Sequence, residues 1–126
     1  MRGKIYFTSF PLLFLWKEGR SIKMLENKFQ ANLIKDIKNR IPGCIVMKND
    51  SSYIQGIPDL LVLHNDKWAA LECKKNSKAS KRPNQEYYVN KMDNMSFARF
   101  VCPENREEVL NGLQSALQSR RTSRSI

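Results

Sequence analysis

The sequence predicts a single α/β domain in the order α-β-β-β-α-β-α, with a mixed four-stranded sheet flanked by helices. Three observations carry this. Leu25, Phe29, Leu33, Ile37 and Ile41 recur at steps of four, the spacing of one buried helix face. Two apolar runs, 58–63 and 67–74, flank His64-Asn65-Asp66, which reads as a β-hairpin. A second helical pattern separates that hairpin from another strand-like run, and a strand–helix–strand succession joins parallel strands. The length of 126 residues suits one compact domain with one modest core.

The elements follow in order. The first helix spans Leu25 to Ile41, with Ile34 beside the stripe, and Pro42-Gly43 stops it. Cys44 to Met47 is a short β-branched run, hence a strand. Residues 48–56 are polar with turn formers, hence a loop. The hairpin comes next, antiparallel to the first strand in a meander. A basic, Ser-containing loop covers residues 74–83, and Pro83 suits the first turn of a helix. Tyr88, Val89, Met92 and Met95 give that helix its apolar face. Residues 96–102 alternate as a fourth strand. Pro103-Glu104 opens the last helix, with Val109, Leu110, Leu113 and Leu117 on its apolar side. Tyr87, Tyr88 and Phe97 are expected in the core.

Net charge is +10, which points to a polyanionic partner. Most of the excess lies at the ends. Residues 1–23 carry five Lys/Arg and one acid, and residues 119–126 add Arg120, Arg121 and Arg124, leaving +3 for residues 24–118. Solvated tails and nucleic-acid contacts both account for such ends. The stretch Ile5 to Trp16 is about the size of a signal-peptide core, yet Lys17-Glu18-Gly19-Arg20 follows instead of a small-x-small cleavage site. It falls short of the roughly 20 apolar residues a membrane span needs. Met24 stands directly before the first helix. Residues 1–23 are therefore expected to be an extension outside the fold, 24–118 the functional domain, and 119–126 a basic tail. No membrane association is expected.

Cys44, Cys73 and Cys102 are odd in number and form no CxxC pair. They suit a reduced, cytoplasmic protein with small buried thiols. His64, in the turn, lacks the partners a zinc site needs.

The chemistry sits at the open end of the hairpin. A two-residue turn at Asn65-Asp66 pairs residues whose numbers sum to 131, so Leu63 faces Trp68, Leu61 faces Ala70 and Asp59 faces Glu72. Directly opposed side chains have Cβ atoms about 4.5–5.5 Å apart, and opposed like charges are destabilising unless compensated. A divalent cation compensates them, and oxygen ligands suit Mg²⁺ or Mn²⁺. Strand side chains alternate, so Lys74 emerges on the face of Glu72 and Cys73 on the other. Two metal-binding acids beside one cation are what phosphodiester hydrolysis requires. The metal polarises the phosphate and acidifies a bound water, and the lysine orients that water or stabilises developing charge. The sequence holds no Gly-rich phosphate loop or nucleophile motif, and no small-molecule cofactor is expected. The competing explanation is a surface salt-bridge face.

Ile57-Pro58-Asp59, twelve residues, and Glu72-Cys73-Lys74 resemble the PD-(D/E)XK nuclease signature. The longer string Gln55-Gly56-Ile57-Pro58-Asp59-Leu60-Leu61, then residues 68–75, then Asn84-Gln85, resembles the virus-type replication-repair nuclease (VRR-NUC) branch, in particular its small phage and prophage members. The likeness runs from about Met24 to Leu117. It implies a restriction-endonuclease-like core and Mg²⁺- or Mn²⁺-dependent cleavage of DNA, in a bacterial host cytoplasm. Small stand-alone members of that branch tend to be homodimers acting on branched DNA such as four-way junctions, and one site per domain with two strands to cut suits a symmetric dimer. The resemblance implies that Asp59 and Glu72 bind the metal with the Cys73 carbonyl, and that Lys74 is the catalytic lysine. Glu26 matches an acid that many members add to the metal site; the alternative is a first-turn acid favoured by the helix dipole. Gln85 lies three and four residues before Tyr88 and Val89, hence on the sheet side. The resemblance gives it a role supporting Lys74 or the scissile phosphate; the alternative is a satisfied half-buried polar group.

Lys75, Lys78, Lys81 and Arg82 follow the catalytic strand and are candidates for tracking the DNA backbone. Lys48, Tyr53 and Gln55, in the loop before Asp59, are candidates for touching the duplex or a branch point. A solvated face explains such charges equally well. The rival functions are a nicking or flap nuclease and a catalytically silent DNA-binding module of a phage replication or packaging complex.

Overall fold

A computed structural model describes the backbone of residues 11–119 and the side chains of residues 24–119. Residues 1–10 and the basic tail from Arg120 lie outside it, so the expectations for those segments do too. Helix α1 spans Pro11–Arg40, strand β1 Ile45–Lys48, β2 Leu60–His64 and β3 Lys67–Cys73. Helix α2 spans Pro83–Met95, β4 Phe97–Val101, and a 3-10 turn at Pro103–Asn105 leads into α3, Arg106–Gln118. This is the expected order, in a mixed four-stranded sheet.

The sheet order is β1-β2-β3-β4. The first three strands form an antiparallel meander, and β4 runs parallel to β3 through the α2 crossover. Leu61 pairs with Ala70 and Leu63 with Trp68, the register derived from the two-residue turn. Asn65 takes φ 56 there, a left-handed conformation that Asn tolerates. His64 ends β2 rather than lying in the turn, and its Nδ1 is buried without a partner.

One face of the sheet carries the main core. Leu33 and Ile37 of α1, with Ile41 just beyond its end, meet Leu60, Val62, Ala69 and Leu71, and Leu110, Leu113 and Leu117 of α3 complete it. Each such Leu or Ile, fully buried, contributes about 1.5–3 kcal/mol by leaving water. Arg40–Glu107 and Arg106–Asp36 ion pairs, at 2.8 and 2.9 Å, tie α1 to α3. Gly43 (φ +88) reverses the chain after α1, a conformation that favours glycine. On the other face α2 packs on β3 and β4, where Val89 meets Ala70 and Ala98. Ile45 and Met47 of the edge strand β1 stay exposed on that face.

Four expectations need correction. Helix α1 begins at Pro11, not near Leu25, so its backbone crosses Met24 without a break. Leu25 is exposed, because the apolar stripe overruns the end of the sheet and packs only from Phe29 onward. Met95 is exposed as well, at the last turn of α2. Tyr87 is exposed rather than in the core, its ring standing edge-on to Tyr88. Among the described residues no helix is long and apolar enough to cross a membrane.

Candidate active site

A polar cleft of about 780 Å³ opens at the end of the sheet where β2 begins and β3 ends. Its walls are α1 around Glu26, the two strand ends, the loop after β3 and the first turn of α2. Asp59, one residue before β2, continues the hairpin register opposite Glu72. The two strand ends are cross-linked: the Asp59 N–H donates to Glu72 Oε1 at 3.1 Å, and the Cys73 N–H donates to Asp59 Oδ2 at 2.9 Å. Asn49 fixes the same strand end, with its N–H donating to the Asp59 carbonyl and its side-chain amide to the Pro58 carbonyl, both at 2.8 Å.

Glu72 is only 4 % exposed and is the one buried charged side chain among the described residues. Burial pushes its carboxyl up to about 7, and the charge of Asp59 adds to the rise; Lys74 and the Asp59 N–H pull the other way. Burial also holds Asp59 above the ordinary carboxylate range, against the Cys73 N–H and Lys74, with Glu26 adding to the rise. The pair therefore resists carrying two negative charges unaided.

Gln85 links the acid to the lysine. Lys74 Nζ donates to Gln85 Oε1 at 2.6 Å, and Gln85 Nε2 donates to Glu72 Oε2 at 2.8 Å. The Arg82 N–H also donates to Gln85 Oε1, at 3.1 Å. Gln85 thus reaches back over the start of its own helix, in the manner of a capping box, and is fixed at both ends. The half-buried amide is thereby satisfied, and one of its partners is the Lys74 ammonium.

Cys73 turns to the opposite face, against the main core. Burial and the charge of Asp59 push its thiol up to about 12, against a hydrogen bond from Gln30. Its side chain is thus directed into the core, away from the two acids. Any contribution to a cation falls to its backbone.

Of the expected site residues, Asp59, Glu72, Cys73, Lys74, Gln85 and Glu26 all line the cleft, together with Lys75, Lys78 and Arg82. Lys81 does not; its ammonium sits over the Phe100 ring, 4.6 Å from the centroid. Lys48, Tyr53 and Gln55 lie outside the cleft. Lys48 is near enough to lower the Cys73 pKa, while Tyr53 and Gln55 are exposed in the loop before Asp59. The structure adds Asn27 and Gln30 to the α1 wall and Asn76 and Ser80 to the loop wall. Gln30 was findable, since it lies four residues after Glu26 and so shares its helix face.

The donor set fits a hard divalent cation. Two opposed carboxylates supply oxygen, and each of the three carboxylate oxygens bonded to the protein keeps a second lone pair. Among the described residues no three His, Cys, Asp or Glu side chains close around one point. Such a cation would draw its other ligands from backbone, water or substrate, as Mg²⁺ commonly does. No protein-family model, curated protein or solved structure matches the chain.

Proposed function

We propose that this protein is a Mg²⁺- or Mn²⁺-dependent DNA endonuclease with a restriction-endonuclease-like core, acting at the cleft of Asp59, Glu72 and Lys74. The observation that carries the reading is the Glu72–Gln85–Lys74 chain beside Asp59. A surface salt-bridge face would leave both charges in water and paired directly. Here the acid is buried, and its connection to the lysine runs through an amide that fixes the lysine's position.

The roles follow from placement. Asp59 and Glu72 would hold the cation, and the Cys73 carbonyl and Glu26, which belong to residues lining the same cleft, would add to its ligands. When bound, the cation polarises the scissile phosphate and lowers the pKa of water. Gln85 holds Lys74 at the cleft, where its ammonium stabilises charge developing on the phosphate oxygens. Lys75, Lys78 and Arg82 form a cationic wall for the strand approaching the site. Lys81 serves instead to fasten that wall to Phe100. Lys48, Tyr53 and Gln55 face DNA beyond the cleft, where a branch would lie.

The substrate class is branched DNA, with four-way junctions foremost, and the working unit is a symmetric homodimer. The half of the sheet that the described residues leave uncovered, with Ile45 and Met47 exposed, is an apolar surface suited to a second copy. The test is to incubate the purified protein with linear, flapped and four-way-junction DNA, in Mg²⁺, Mn²⁺ or EDTA. Cleavage is expected with metal only, and greatest on the junction. Metal-independent binding of all three with no cleavage would instead favour the silent DNA-binding module.

A further inference from the structure

We infer that Gly56 is a positioning residue for the proposed centre: the missing side chain at this position seats the first turn of α2 so that Gln85 spans Glu72 and Lys74. This rests on the nuclease reading for its catalytic consequence, but not for its structural one.

Gly56 has φ +92, and a Cβ built on it would lie 2.5 Å from Asn84 Cβ, 2.8 Å from the Asn84 carbonyl carbon and 3.0 Å from its oxygen. The obstacle is largely backbone, so no rotamer change relieves it. Asn84 immediately precedes Gln85, and Gly56 precedes Asp59 by three residues. The contact therefore sets the distance between the strand end bearing one carboxylate and the helix turn bearing the bridging amide.

The loop side cannot yield easily. Asn49 pins Pro58 and Asp59 with two 2.8 Å hydrogen bonds, and the Ile57 N–H donates to the Ile54 carbonyl. The helix must move instead. Bringing the Cβ pair from 2.5 Å to ordinary contact near 3.4 Å requires about 1 Å of displacement. That is enough to carry the 2.8 Å Gln85–Glu72 bond beyond hydrogen-bonding range. A misplacement of about 1 Å away from the chemistry can cost about 10²-fold in rate.

Gly43 supplies an internal control. It has φ +88, so Gly43→Ala suffers the same backbone strain, but nothing lies within 4 Å of its would-be Cβ. Comparing the two substitutions separates strain from the contact.

The experiment uses the full chain and two readouts, the ¹H–¹⁵N side-chain amide resonances of Gln85 and single-turnover cleavage alongside DNA affinity. Gly56→Ala should move the Gln85 amide resonances toward those of a free amide. It should lower the cleavage rate by about 10–100-fold and leave the DNA Kd within about threefold. In a Gln85→Ala background the same change should add less than about threefold, because both act on one bridge. Gly43→Ala should lower Tm while leaving the amide and the rate in place. The inference is overturned if Gly56→Ala keeps the Gln85 amide where it was, or loses rate by the same factor with and without Gln85. If Gly56→Ala does not fold, Asn84→Val crowds the contact from the helix side without positive φ, and an unmoved amide there overturns it equally. If the wild type cuts no DNA, the nuclease reading falls, while the amide resonances still decide whether Gly56 seats Gln85.

Discussion

Glu72→Gln should stabilise the metal-free protein at pH 8 and destabilise it at pH 4. The folded-state pKa of Glu72 is raised from 4.5 to about 7, so the native state holds this proton more tightly than the unfolded chain. Wild-type stability therefore falls as pH rises between about 4.5 and 7, by at most about 3 kcal/mol at 1.36 kcal/mol per pKa unit. Glutamine removes the buried charge. It keeps an acceptor for the Asp59 N–H but turns an NH₂ toward the Gln85 amide, so one hydrogen bond is lost at a cost of about 1 kcal/mol. The net gain at pH 8 is about 2 kcal/mol, or about 4–10 °C in Tm for a domain of this size. At pH 4, where wild-type Glu72 is already neutral, only the lost bond remains and the variant melts lower. Thermal melts in EDTA at both pH values read the crossing directly. Adding Mn²⁺ at about 100 times its Kd should stabilise the wild type by about 2.7 kcal/mol and the variant by far less. A variant that melts lower than wild type in EDTA at pH 8 would refute the uncompensated-charge argument.

Other perturbations separate the parts of the site. Asp66→Asn, in the turn at the far end of the hairpin, should keep both the Mn²⁺-induced Tm shift and cleavage; loss of either would move the centre away from Asp59. Lys75→Ala, Lys78→Ala and Arg82→Ala should each reduce the slope of log Kd for DNA against log salt by up to about 0.9. Lys81→Ala should leave that slope unchanged, since its ammonium lies on Phe100; an equal loss would put Lys81 on the DNA. A chain starting at Met24 keeps the core anchors Leu33 and Ile37 of α1 and Ile41 just beyond it. It should retain its fold and its cleavage activity; an insoluble or inactive product would make residues 1–23 structural.

The hairpin was legible because strand geometry is arithmetic: a two-residue turn and a period of two fix every pair from Leu63 and Trp68 down to Asp59 and Glu72. Lys74 on the face of Glu72 follows from the same period. The start of α1 was not legible, because Gly19 weakens a helix by about 1 kcal/mol without ending it and Met24 carries no stop signal. Exposure of Leu25 and Met95 depends on where the sheet ends beneath each helix, which no local pattern encodes. The basic run 74–82 looks uniform in sequence, yet Lys81 is drawn to Phe100 across the chain while Lys75 and Lys78 line the cleft. The Gly56–Asn84 contact joins residues 28 apart in the chain, so only the fold discloses it.

Single-turnover cleavage of a four-way junction, followed against Mn²⁺ concentration for the wild type and Lys74→Ala, tests the central claim most directly. The wild-type rate should rise from zero in EDTA to saturation. Lys74→Ala should bind junction and metal with similar affinity and cut about 10²–10³-fold more slowly, the cost of removing one transition-state charge donor. Wild-type turnover in Lys74→Ala, or equal cleavage in EDTA, would contradict a metal-dependent centre built on Asp59, Glu72 and Lys74.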